Sequence, residues 1–265
     1  MADLLALSRA AIDEGKGADE IGPMNRINHQ LSEIGNGAGV FLATSETEAR
    51  AMAERLSGGL RRGSNPPAVL PAVSPVAQGS VQRIAHPASQ AHIAIGQPGI
   101  KRLDPDYFPL WLGNYVLGGG GFSSRLNAEI RQKRGFAYSA YSYFSPLLVE
   151  GPFQIGLQTR KDQADEALKV AQDTLASFVA DGPTQEELDA AKQNVVGGFA
   201  LRIDSNRKIL EYLSLIGFYR LPLTYLEDFP AAIEAVTLPQ VKDAFRRRIH
   251  PERMATVIVG GAQSP

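Results

Sequence analysis

Arg131 and Tyr138 stand seven positions apart in the run Glu129-Ile130-Arg131-Gln132-Lys133-Arg134-Gly135-Phe136-Ala137-Tyr138. A guanidinium fork and a phenol O–H are both donors. Two donors aimed at one carbonyl stabilise the charge that builds on its oxygen during amide hydrolysis, and removing such a donor typically raises the barrier by about 2.7 to 4 kcal/mol. The competing reading is plainer: Arg131 and Arg134 complement the negative end of a helix, and Tyr138 with its neighbours fills an aromatic sheet face. The residues alone leave both open.

Immediately upstream lies Gly118-Gly119-Gly120-Gly121-Phe122-Ser123-Ser124-Arg125-Leu126. Glycines permit positive φ and leave backbone N–H groups approachable, so Gly118, Gly119, Gly120, Gly121, Phe122 and Ser123 are candidate substrate-binding residues, for an anion or an extended peptide. A phosphate loop needs Gly-x-x-x-x-Gly-Lys-Ser/Thr after a strand; here a helix precedes the glycines and no Lys follows at that place. A tight helix-to-helix turn is the alternative.

Metal chemistry finds little support. The histidines are His29, His86, His92 and His250, none spaced to meet another on a helix face. His29 and Glu33 form an isolated i,i+4 pair that suits a surface contact. A hairpin around Pro87 would bring His86 and His92 together, yet two ligands without a third make a poor site, and both read as ordinary strand residues. No metal site is expected in this chain. The run Arg246-Arg247-Arg248 reads as a solvated helix end that complements its dipole.

These groups must be placed by their flanking elements. Arg131 falls in the last turn of a helix predicted from Ser123 or Ser124, the natural caps, to Gly135, the natural left-handed terminator. Tyr138 is then the third residue of a strand, 136–144, paired with a second strand, 153–159. Reversal at Gly135 carries both side chains to one surface. Before them come a possible short helix at 4–12, a strand at 39–43, and a helix at 45–56 opened by a Ser45/Glu48 capping box. A Pro- and Gly-rich stretch, 58–79, reads as a linker between a first segment, 1–57, and a domain over 80–265. That domain has strands at 81–86 and 90–96, a helix at about 105–117, and helices at 162–180, from Thr184 to a break near Gly197-Gly198, from after Asp204 or Ser205 to near Leu221-Pro222, and at 237–248. A buried strand, 255–259, follows. Antiparallel strands with helices gathered in runs indicate an α+β fold with an antiparallel or mixed sheet.

Composition bounds the rest. At 265 residues and 44% apolar content the chain can bury one large core or two modest ones. Its 27 basic and 28 acidic residues nearly balance, which removes the broad electrostatic reason to expect nucleic acid or an anionic membrane. With no Cys, thiolate metal sites, disulfides and a Cys nucleophile are excluded. No apolar run reaches the length of a membrane span, and Asp3 stands where an export signal would carry positive charge, so the chain reads as soluble and unexported.

The segment Leu117 to Tyr143, LGGGGFSSRLNAEIRQKRGFAYSAYSY, closely resembles the second-half signature of the insulinase/pitrilysin (inverted zincin) metallopeptidase family, especially its bacterial two-subunit processing-protease branch. The resemblance extends more loosely over about 80–261. It implies related α+β halves closing around an unfolded peptide, with Arg131 and Tyr138 as the substrate-polarising pair. It also implies that zinc and its general base, carried in this family by an H-x-x-E-H helix, come from a homologous partner subunit or a preceding half. That motif does not occur here. By the same comparison 39–56 matches the end of a preceding half, a periplasmic home is allowed, and the chain is expected to self-associate through an exposed apolar interface. A second reading is an inert scaffold of the same fold.

Overall fold

The computed structural model of the chain describes residues 45–59 and 69–260. The predicted helix at 4–12, the strand at 39–43, the His29–Glu33 pair and the middle of the linker, with Asn65-Pro66-Pro67, lie outside the described residues. Contacts divide the chain into two compact units. One holds the described residues up to Val69 together with Leu201–Leu226; the other holds Leu70–Ala200 and the described residues from Glu227 onward.

Among its described residues the first unit holds two helices. Helix α1 (Glu46–Gly59) starts where the Ser45 hydroxyl accepts the Glu48 N–H at 3.2 Å. In the second unit strand β1 (Ser80–Ile84) and strand β2 (Gln90–Pro98) are not a hairpin. Strand β5 (Ala255–Val259) sits between them, parallel to β1 and antiparallel to β2, within a sheet ordered β1-β5-β2-β4-β3. The hairpin that would bring His86 and His92 together does not form, and His86, read as a strand residue, lies instead in the loop after β1, where its Nδ1 accepts the Ala88 N–H at 3.1 Å. The β5 pairing spans most of the chain, which no local pattern announces.

Strands β3 (Ala137–Phe144) and β4 (Pro152–Arg160) pair antiparallel and complete a mixed, five-stranded sheet. Alternate residues of its strands turn inward: Ala91, Ile93 and Ile95, then Phe153, Ile155 and Leu157, then Ile258. The helices that cover them follow the same logic at a different period. Helix α2 (Tyr107–Asn114) precedes the glycines, and helix α3 (Ala164–Asp181) buries Ala164, Ala167, Leu168, Ala171, Leu175 and Phe178 on one stripe. Helix α4 (Gln185–Gly197) opens with the predicted Thr184/Glu187 capping box, and helix α5 (Asn206–Tyr219), in the first unit, is capped by Ser205.

Helix α6 (Tyr225–Glu234) was masked in the sequence by Pro230. The proline removes one backbone donor, but burial of Phe229 and Ile233 outweighs that loss; Phe229 stacks on Phe199 at 5.1 Å and meets Trp111 edge-on at 5.8 Å. Helix α7 (Leu238–Arg248), with its Thr237/Gln240 capping box, sends Phe245 against Phe178 at 4.8 Å and completes the core.

The basic run at the end of α7 is not simply solvated. Arg247 grips Asp106 through both Nη atoms at 2.9 and 2.7 Å, and Arg248 donates to Asp106 at 2.8 Å and Asp104 at 3.0 Å, while Arg246 donates to the Ala180 carbonyl at 2.7 Å. The run fastens α7 to the loop before α2. Among the described residues no helix is long and apolar enough to cross a membrane.

Candidate functional site

Helix α2 continues into a π-helical turn, Tyr115–Gly119, so only part of the glycine run is loop. Gly118 is buried: a Cβ there would run into the Ser142 backbone and the Leu126 side chain, and its absence lets the helix lie directly on β3. It is a packing residue in this fold. Gly119 and Gly121 are exposed, and Gly121 takes φ +64 at the turn before Phe122.

The helix starts directly after Ser124, one of the two predicted caps, but neither serine hydroxyl accepts a backbone N–H of its first turn. Ser124 has the extended N-cap backbone, and its carbonyl accepts the Ala128 N–H at 2.9 Å. Its hydroxyl, however, donates back to the Gly121 carbonyl at 2.7 Å, as Ser123 donates to Gly120 at 3.0 Å. Both hydroxyls therefore stiffen the glycine turn. The helical segment that follows passes through a second π turn, Asn127–Gln132, and is shorter than predicted. Gly135 ends it at φ +63: its N–H bonds to the Arg131 carbonyl at 2.9 Å, and the Phe136 N–H to that of Ile130 at 2.9 Å.

Strand β3 then begins with an irregularity. Ala137 pairs with Thr159 but Ala140 with Leu157, so an extra residue bulges between them and both Tyr138 and Ser139 turn outward. Tyr138 is 81% exposed and Phe122 64%. Between them lies Arg131, its Cζ 4.2 Å from the Phe122 ring centre and 4.8 Å from that of Tyr138. The turn, the helix end and the bulge thus assemble a cation held between two aromatic faces.

Inside that sandwich Arg131 Nη1 is buried and has no hydrogen-bond partner among the described residues. A nearby carboxylate, Glu129, is engaged elsewhere, bound by Lys133 at 2.6 Å and Arg134 at 2.8 Å. The Lys133 and Arg134 hydrogen bonds hold the Glu129 carboxyl below the usual carboxylate range. Arg134 also donates to the Glu129 carbonyl at 2.8 Å and so performs the helix-end role for which Arg131 was an alternative candidate. Phe122 is fixed through its carbonyl, which accepts from Gln132 Nε2 at 2.9 Å.

Of the sequence-predicted group, Arg131, Tyr138 and Phe122 converge; Gly120, Gly121 and Ser123 form the turn that carries Phe122; Gly118 lies beneath. Sequence reasoning passed over Asn127, which is 5% exposed and bonds both the turn and β3. The available signal was an Asn, a poor helix former, inside a short helix. Among the described residues no group of three His, Asp or Glu side chains is arranged to hold a metal ion. Those residues therefore do not fit a zinc ion.

The family described as peptidase M16 inactive domain matches residues 40–195. An uncharacterized zinc protease of Streptomyces coelicolor is 31% identical over 184 residues, covering 69% of this chain and 40% of that protein. A Helicobacter pylori protein named as a non-peptidase homolog, YmxG, is 30% identical over 174 residues, covering 64% of this chain and 39% of that protein. The crystal structure of a peptidase M16 inactive domain from Pseudomonas fluorescens is similar with a TM-score of 0.76 at 40% identity, over 83% of this chain and 52% of that one. The chain thus spans about half, or less, of the length of these proteins.

Proposed function

Because the chain belongs to the peptidase M16 inactive-domain family of insulinase-like metallopeptidases, we propose that it is the non-catalytic half of a zinc-dependent peptide-processing endopeptidase. In this reading Arg131 and Tyr138 grip the substrate peptide and polarise its carbonyl. Zinc and the general base belong to a homologous partner subunit or a preceding half; when bound there, the metal supplies Lewis acidity and an activated water. This chain contributes donors and positioning.

The observation that carries the reading is the buried, unpartnered Nη1 of Arg131 beneath two exposed rings. A buried donor without an acceptor costs about 1 to 3 kcal/mol, which a carbonyl reaching it would recover. Phe122 and Tyr138 are exposed enough to swing aside at little cost. A peptide entering between them would exchange ring contacts for a charge-assisted hydrogen bond, and the Tyr138 hydroxyl would supply the second donor. As negative charge grows on the carbonyl oxygen both bonds strengthen, which is the condition for lowering a barrier.

The test is peptide hydrolysis by the chain reconstituted with its zinc-bearing companion. Arg131→Ala and Tyr138→Phe should each lower the rate while leaving assembly intact. Unchanged hydrolysis in both variants would defeat the reading. It would favour an inert scaffold of the same fold, a reading supported by the similarity to the Helicobacter pylori non-peptidase homolog. Pairing belongs to the same proposal: the chain alone should self-associate at micromolar concentration, and a strictly monomeric particle in sedimentation would contradict that.

A further inference from the structure

We propose that Asn127 is a positioning residue that sets the gap between Phe122 and Tyr138 and so holds Arg131 in its sandwich; the proposal rests on reading that sandwich as the peptide-gripping site. The Asn127 side chain is buried, and its Nδ2 donates to the Gly121 carbonyl at 2.9 Å and the Ala140 carbonyl at 2.7 Å, with Ser124 Oγ at 3.2 Å. Its Oδ1 faces the Ala140 N–H at 3.4 Å. One amide thus joins the glycine turn to the edge strand.

The joined points are close to the jaws. Gly121 is the residue before Phe122, and Ala140 lies two residues beyond Tyr138. Asn127 and Arg131 share one helical segment, four positions apart, so the amide that ties the jaws sits one turn behind the guanidinium they enclose. Moving Asn127 would change the separation of the rings before it changed anything in the main core.

The same bonds decide how a peptide can approach. Asn127 occupies both backbone groups of Ala140, and Asn114 Nδ2 takes the Ser142 carbonyl at 3.0 Å. These side chains stand where a neighbouring strand would pair. A peptide cannot add to β3 as a strand along residues 140–142, and must be held there by side chains.

Asn114 supplies the control. It is also buried and anchored to β3, accepting the Ser142 hydroxyl at 2.6 Å, but no hydrogen bond joins its side chain to the residues that flank Phe122 or Tyr138. Loss of either amide should weaken the fold; only Asn127 should alter the sandwich.

The experiment is side-chain NMR of Arg131 in the full chain, where ring currents from two faces should move its Hδ and Hε signals upfield. Asn127→Leu should abolish that displacement and, in the reconstituted protease, weaken peptide binding at least tenfold. Asn114→Leu should lower the melting temperature comparably while the Arg131 signals stay displaced. Should Asn127→Leu fail to fold, Asn127→Asp serves: the displacement should be lost at neutral pH and return on acidification, when the protonated carboxyl again donates one bond. Retained displacement in Asn127→Leu, or a pH-independent signal in Asn127→Asp, would overturn the positioning role. Lost displacement with normal hydrolysis would instead overturn the gripping role of Arg131 and Tyr138.

Discussion

Two arginine sites at the ends of two helical segments are built in opposite ways. At the end of α7, Arg247 and Arg248 are each bound by two carboxylates: Asp106 is gripped by both, Asp104 by Arg248, and Asp243 by Arg247 at 2.7 Å. At the end of the segment before Gly135, Arg131 touches two ring faces and leaves Nη1 without an acceptor, while Glu129 is consumed by its neighbours. The chain clearly has the means to satisfy a guanidinium. Where it withholds the acceptor, the unmade bond is available to a ligand; where it supplies acceptors, the arginine is an anchor.

The largest expected effect separates activity from stability. On the proposed gripping role, Arg131→Ala in the reconstituted complex should lower peptide hydrolysis roughly 100- to 1000-fold, the usual consequence of removing one transition-state donor. Arg131→Met keeps the aliphatic stem but removes the guanidinium, so the loss of two cation–π contacts opposes the gain from removing the orphan donor, and the melting temperature should change only slightly. A marked drop in melting temperature for Arg131→Met would break the contrast, because it would make Arg131 an anchor like the others.

Asp106→Ala should do the reverse. It removes a carboxylate only 12% exposed that both guanidinium groups share, leaving Arg247 with Asp243 and Arg248 with Asp104, and should cost about 1 to 2 kcal/mol in urea unfolding, with hydrolysis by the folded complex retained. Loss of activity without loss of stability would show that the loop before α2 reaches the site by some other route.

How much of this contrast was legible in the sequence depends on distance along the chain. Arg131 and Tyr138 could be brought together on paper because only Gly135 intervenes, and a helix's last turn, a left-handed glycine and a strand's first residues have fixed relative directions. Likewise the Thr184/Glu187 pair announced its helix. The bulge that leaves Tyr138 and Ser139 facing outward and the π turn that contains Asn127 were not legible, because the first depends on pairing with β4 and the second on packing against β3. The Asp106 anchor was missed because its partners lie about 140 residues away. A basic triplet is ambiguous until the acids that face it are known.

Acid should expose the same difference more gently. The hydrogen bond from Arg247 foremost, with that from Arg248, holds the Asp106 carboxyl below its ordinary range against the opposing effect of burial. Its folded-state pKa is therefore lower than in the unfolded chain. The stabilisation is complete above the unfolded value, about pH 4, and is lost as pH falls through the folded one. Urea midpoints measured from pH 5 downward should decline less steeply for Asp106→Asn than for the unsubstituted chain. An identical slope would mean that Asp106 adds nothing to acid sensitivity.

The smallest effect tests the site at its turn. Gly121 and Gly135 share a left-handed backbone, φ +64 and +63, and in both places a Cβ would point into open space. Alanine at either position should thus cost about 1 kcal/mol of conformational strain and nothing in packing. Their consequences for Arg131 should still differ. The Gly121 carbonyl is the acceptor through which Asn127 and Ser124 hold the Phe122 jaw, whereas the Gly135 N–H only closes the helix end onto the Arg131 carbonyl. Gly121→Ala should therefore reduce the ring-current displacement of Arg131 more than Gly135→Ala does, at equal cost in stability. Equal losses would mean that any strain near the turn loosens the rings, and that the Asn127 bond has no special hold on them.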